Sequence, residues 1–147
     1  MRHLLILTGV LVGLAGCSTF TGPDTRRVVG LIDAGGFGLP TIVAPDTVQV
    51  GGSFTVTVHS FGSSSCTTPD GVDLTLTPTE ARVTPYDRVP ADRRAVCTAD
   101  LSPRPHPVEL RFPRAGPAII VAQGEVIDVS TGQRTSGSVT KQLLVLP

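Results

Sequence analysis

The side chains of this chain that are equipped for chemistry are few. They are Cys17, Cys66 and Cys97, the histidines His59 and His106, the serine run Ser63-Ser64-Ser65, and scattered acids such as Asp70 and Asp73. A metal could use Cys66, Cys97, His59 and His106, but no C-x-x-C or H-x-x-x-H pair sets regular ligand spacing. A blue-copper centre would take both histidines and Cys97 together with an axial Met. Met1 is the only methionine, so such a centre needs another axial ligand and an unpaired Cys97. Nucleophilic catalysis would need Ser, His and acid brought together in space, and neither G-x-S-x-G nor H-E-x-x-H marks a place for it. Asp70 and Asp73 lack the spaced oxygen ligands of a calcium loop. No cofactor or metal, and no catalytic residue, is expected.

The elements that position these residues begin with a short basic start, Met1-Arg2-His3, and an apolar run over residues 4–14, followed by the small residues Ala15 and Gly16. This is the layout of a secretory signal peptide. The run is shorter than the roughly 17–25 residues of a spanning helix. Residues 18–25 are polar and carry Gly22 and Pro23, which reads as a tether reaching at most about 26–29 Å. The rest, residues 26–147, has the length of one domain. Acids and bases balance at 12 each, and loss of Arg2 with a leader leaves the acids one ahead. A nucleic-acid partner would want a basic face. With no Trp, one Tyr and 5 Phe, platforms for stacking bases or sugars are scarce.

Beyond the tether the hydropathy has period two. Phe54, Val56 and Val58 alternate with Thr55, Thr57 and His59. Val72, Leu74 and Leu76 alternate with Asp73, Thr75 and Thr77, and Val108, Leu110 and Phe112 with Glu109 and Arg111. Each pattern gives a strand one buried and one wet face. Further strands are expected at 27–33, 47–50, 82–84, 95–99, 118–123, 126–129 and 139–146. The run 118–122 is apolar on both faces and suits a central strand. Gly and Pro clusters separate these runs. His59 falls on an outward strand position, and His106, between Pro105 and Pro107, in a loop. Seven to nine short strands without a helical stripe predict an all-β fold, a single antiparallel β-sandwich.

Two resemblances sharpen this reading. Leu14-Ala15-Gly16-Cys17 resembles the lipobox of bacterial lipoproteins. The resemblance implies cleavage between Gly16 and Cys17, removal of residues 1–16, and a lipid on the Cys17 thiol. Several acyl chains on one residue hold a protein to a bilayer where one chain does so only marginally. Ser18 stands where an aspartate would retain Gram-negative members in the inner membrane, which favours the outer membrane in such a cell. With Cys17 acylated and the chain exported, Cys66 and Cys97 remain as an even pair. In an oxidising space they are expected to form a disulfide, the metal site with His59 or His106 being the alternative.

The second resemblance lies in residues 43–62, VAPDTVQVGGSFTVTVHSFG, which are similar to the opening of bacterial immunoglobulin-like modules. Val48, Val50, Gly51 and Phe54 fill the places of their V-x-V-G turn and following strand. It implies an immunoglobulin-like β-sandwich, a scaffold that hosts many functions. The chain departs from antibody-type domains. It has no core Trp, a Cys66–Cys97 separation of 31 too short for their inter-sheet bridge, and Ala95 where a tyrosine corner would stand. The expectation is an envelope lipoprotein carrying a non-catalytic binding or structural module. Its partners would be the membrane, through Cys17, and a protein or other envelope component. The alternatives are a small cupredoxin-like metal protein or enzyme, and an accessory subunit that recruits a partner strand at an exposed sheet edge.

Overall fold

A computed structural model describes residues 24–35, 38–62, 64–128 and 131–147. The residues read as signal segment, Cys17 and tether, up to residue 23, and Ser63 lie outside the described residues. The described chain is all-β, with nine strands and no helix. In order these are β1 (Thr25–Val29), β2 (Ile42–Val43), β3 (Thr47–Gln49), β4 (Phe54–Phe61) and β5 (Thr68–Leu76). They are followed by β6 (Glu80–Pro90), β7 (Pro103–Leu110), β8 (Gly116–Ile127) and β9 (Arg134–Leu146). A large sheet runs β1-β6-β8-β9-β3, with β5 also on β6. A small sheet runs β2-β4-β7.

The two sheets close face to face because each contributes one apolar row at period two. Val56 and Val58 of β4 and Leu110 of β7 face Ala81 and Val83 of β6, Ala118, Ile120 and Ala122 of β8, and Leu143 and Val145 of β9. Phe112 joins them just past β7, its ring centroid 6.0 Å from that of Phe54. β8 lies between β6 and β9 and is buried on both faces along Ile120, Val121 and Ala122. The central-strand expectation for 118–122 therefore holds.

Several expectations need correction. The sandwich is not purely antiparallel, since β3 pairs β9 and β6 pairs β8 in parallel. Of the strand expected at 126–129, Val126 and Ile127 belong to β8, and residue 129 lies outside the described residues. β8 runs through Gly124 to Ile127 because Gly124 is a contact point rather than a turn: a Cβ there would sit 2.6 Å from the Gly30 carbonyl oxygen. Residues 95–99 form no strand. Ala95 N–H closes a turn onto the Asp92 carbonyl, and Val96 is fully exposed, so no neighbouring strand rewards an extended ladder there. The strand of this region is β7, which begins at Pro103 and carries His106 in its interior. β1 begins at Thr25, within the stretch read as tether.

Prolines inside β7 are tolerated for a geometric reason. His59 and Phe61 of β4 send their N–H groups to Thr41 and Leu31, away from β7. The even-numbered residues of β4 therefore bond β7, opposite His106, Arg104 and Val108. Pro103, Pro105 and Pro107 all turn their missing donors to the free edge, where strand prolines belong.

Candidate functional site

The inner rows of β4, β6 and β7 do not stay apolar to their ends. Val56–Val58 continues to Ser60, Ala81–Val83 to Asp87, and Leu110–Val108 back to His106. Ser60, Asp87 and His106 are each no more than 2 % exposed and meet between the sheets. Ser60 Oγ donates to Asp87 Oδ1 at 2.8 Å and lies 2.9 Å from His106 Nε2. The same nitrogen is 3.3 Å from Asp87 Oδ1, and His106 Nδ1 is 3.1 Å from the Gly71 carbonyl oxygen. Gly30 backs the cluster, and a Cβ there would stand 2.8 Å from Ser60 Cβ.

Serine, histidine and aspartate in contact invite comparison with a catalytic triad, and the wiring differs. In a triad the acid holds the ring nitrogen far from serine, leaving the near one to take the serine proton. Here the aspartate sits on the near nitrogen and accepts from serine itself, while the far nitrogen faces a backbone carbonyl. No buried side-chain nitrogen or oxygen among the described residues lacks a partner. Beside Asp87 the space is a cavity of about 20 Å³, lined by Val28, Leu31 and Phe61 among others. That is room for one water, not for an acyl group. A closed, satisfied polar network of this kind fixes how two sheets register.

A second arrangement lies at the end of the sandwich where β1 begins. Cys66 and Cys97 are joined in a disulfide with Cα atoms 5.7 Å apart. The bridge clasps the loop before β5 to the long loop between β6 and β7. Ser65 N–H bonds the Thr98 carbonyl at 2.9 Å, and Thr98 N–H bonds Ser65 Oγ at 3.1 Å. Arg104, with its side chain only 13 % exposed, spans both loops. Its guanidinium donates to the carbonyls of Thr67, Ser102 and Ser64 and to Asp100 Oδ2 at 2.8 Å. The Ser102 hydroxyl, then Arg104, hold the Asp100 carboxyl down to about 2. β5 starts at Thr68, directly after the bridged loop. Ala91 N–H bonds the Asp24 carbonyl at 2.9 Å, which places this clasp at the start of β1.

The remaining candidates are dispersed. His59 is half-buried on the opposite face of β4 from His106, with Nδ1 3.1 Å from the Pro40 carbonyl oxygen. Cys97 is engaged in the disulfide, so the copper ligand set does not assemble. No group of three or more His, Cys, Asp or Glu able to hold a metal occurs among the described residues. Asp70 and Asp73 lie in β5 and pair with arginines: Arg88 at 2.7 Å and Arg27 at 3.7 Å for Asp70, Arg27 at 3.6 Å for Asp73. Ser138-Val139-Thr140-Lys141 has the S-x-x-K spacing of some acyl-enzymes, a match the motif reading passes over. It falls in β9, where positions three apart point to opposite faces, and Lys141 Nζ bonds Asp46 at 2.7 Å. Serine and lysine are thus kept apart. No protein family, curated protein or solved structure matches the chain.

The Ser60–Asp87–His106 cluster was within reach of the sequence. The alternations that mark β4 and β7 need only be continued by one step to put Ser60 and His106 on the inner face. Asp87 had no comparable signal, because β6 reads as polar beyond Val83.

Proposed function

We propose that this chain is a lipid-anchored protein of the bacterial cell envelope whose immunoglobulin-like β-sandwich is a non-catalytic binding module. The anchor rests on Leu14-Ala15-Gly16-Cys17 behind its basic start and apolar run. The binding reading is carried by one observation, the clasp of two loops by the disulfide and Arg104 at the end where β1 begins. Loops held on a rigid scaffold are the usual carriers of recognition. Val96, fully exposed, and Leu101, half-exposed, give this end apolar surface. A tether of at most about 26–29 Å keeps that end near the bilayer, so its partner would be a membrane-proximal envelope component. Burial of Ser60, Asp87 and His106 favours a structural over a catalytic role for them.

Intact mass and amino-terminal mapping of the membrane-extracted protein test the anchor. The expected mature chain starts at an acylated Cys17, and Cys17→Ala accumulates uncleaved precursor. A mature chain starting elsewhere, with no added mass on Cys17, refutes it. Cross-linking from residue 96 in native membranes tests the binding face: a discrete adduct lost in Arg104→Ala supports it, and an adduct pattern indifferent to Arg104 removes it.

A further inference from the structure

The free strand edges of this sandwich are unequal. β2 and β3 are two and three residues long. The edge of β7 is blunted by Pro103, Pro105 and Pro107, which offer carbonyls and no donors. β5 is different. Pro85 of β6 has no N–H, and its carbonyl accepts from Gly30, on the side away from β5. β6 therefore bonds β5 through Thr84 and Arg82, opposite Asp73 and Thr75. Val72, Leu74 and Leu76 aim their N–H and C=O groups outward, with no proline among them. Their side chains share the inner face, Leu74 opposite Val83 and Leu76 opposite Ala81. Leu74 is 41 % and Leu76 45 % exposed, although Val83 and Ala81 beside them are fully buried. The large sheet overhangs the small one here. An unguarded edge and an uncovered apolar strip coincide, a combination that soluble sheets otherwise avoid.

We propose that two copies of this chain pair through β5, antiparallel and two-fold symmetric about Leu74, so that the two large sheets become one. The edge is self-complementary. With Leu74 opposite the partner's Leu74, Val72 falls opposite the partner's Leu76. All three outward-bonding residues then meet outward-bonding residues, and main-chain bonds form in mutually bonded pairs. On the inner face the two copies of Leu74 cover one another, and Leu76 covers the partner's Val72. On the outer face Asp73 meets the partner's Thr75, so like charges are not directly opposed. The charges also match across the seam. Arg82 lies beside Thr75 in β6, putting it two strand spacings, about 9.6 Å, from the partner's Asp73, within reach of an arginine side chain. Arg27, already 3.6 Å from Asp73, screens the two Asp73 carboxylates from each other. A ladder this short belongs among the small, transient interfaces. Confinement to a surface would raise its occupancy.

The register gives a sharp test on the full chain, in native membranes and in mild detergent. Leu74→Cys places two thiols directly opposite at the dyad, within the Cα separation a disulfide accepts. Thr75→Cys places its thiol opposite the partner's Asp73. Under mild oxidation Leu74→Cys should yield at least ten-fold more covalent dimer than Thr75→Cys. Sedimentation velocity of the unsubstituted chain should show a concentration-dependent dimer that Leu74→Lys abolishes, since it sets two cations face to face at the dyad. Equal cross-linking of the two cysteine variants, or an unsubstituted chain that stays monomeric across the concentration series, overturns the proposal. Loss of the dimer in Leu74→Lys with circular dichroism unchanged supports it. Loss of strand signal in that variant leaves the decision to the sedimentation of the unsubstituted chain.

Discussion

Removing the bridge between Cys66 and Cys97 by the paired change Cys66→Ser and Cys97→Ser isolates an effect on the unfolded chain. The bridge closes a loop with a sequence separation of 31. Releasing a loop of that length returns conformational entropy worth about 3.7 kcal/mol at 25 °C. A domain of this size loses about 4 °C of melting temperature per kcal/mol, so a fall of roughly 15 °C is expected. The folded state should change little. The bonds between Ser65 and Thr98, and those from Arg104 to both loops, do not involve sulfur. Thermal unfolding followed by circular dichroism and calorimetry measures the shift, and amide exchange at Thr98 reports whether the loops stay joined. A fall of less than about 5 °C would refute the entropic argument. Collapse of the strand signal at 25 °C would show that the bridge holds the sandwich itself, contrary to its placement at the loop end.

Asp87→Ala removes the acceptor of the buried Ser60 hydroxyl and should cost about 1–3 kcal/mol, read from urea unfolding. Ser60→Ala should cost about 1–3 kcal/mol. Because the Asp100 carboxyl is held at about 2, below an ordinary carboxylate, its bonds are fully present above the unfolded value near 4. They weaken as pH falls through about 2; amide exchange at Ser102 should therefore remain protected at pH 3 and lose protection near pH 2. Gly124→Ala drives a Cβ toward the Gly30 carbonyl and should destabilise by about 1–3 kcal/mol, again by urea unfolding. Replacing Pro103, Pro105 and Pro107 together by Val gives β7 an edge of donors, and light scattering on warming should show faster aggregation than for the parent chain.

Much of the architecture was legible because one signal repeats. In residues 54–58 of β4, 108–110 of β7 and 143–145 of β9 inner residues are apolar, and over the first two the outer ones are polar, so the period places the strand and its face. The reading failed where a residue's meaning depended on a partner distant in sequence. Pro105 and Pro107 look like loop markers until the edge they face is known. Gly124 looks like a break until Gly30 is seen against it. Parallel pairing of β6 with β8 leaves no trace in either segment, because hydropathy alternation is the same for both strand directions. The expected bridge between Cys66 and Cys97 is present, whereas Arg104, which holds the same loops, looked like any solvated arginine.

The opposite ends of the sandwich also have a mechanical meaning. β1 starts at Thr25 beside Pro90, and β9 finishes at Leu146 beside Gln49, near the far end of β8 where Gly116 pairs Val145. A pull applied at Thr25 and Leu146 acts along the strands. It loads the β3–β9 and β8–β9 ladders in shear, so many bonds must yield together rather than one after another. Resistance to such a pull is set by the rate of unfolding, not by the equilibrium stability. The same molecule pulled from the Asp128–Gln133 turn and Thr25, which lie at one end, would meet its bonds singly and give way at lower force.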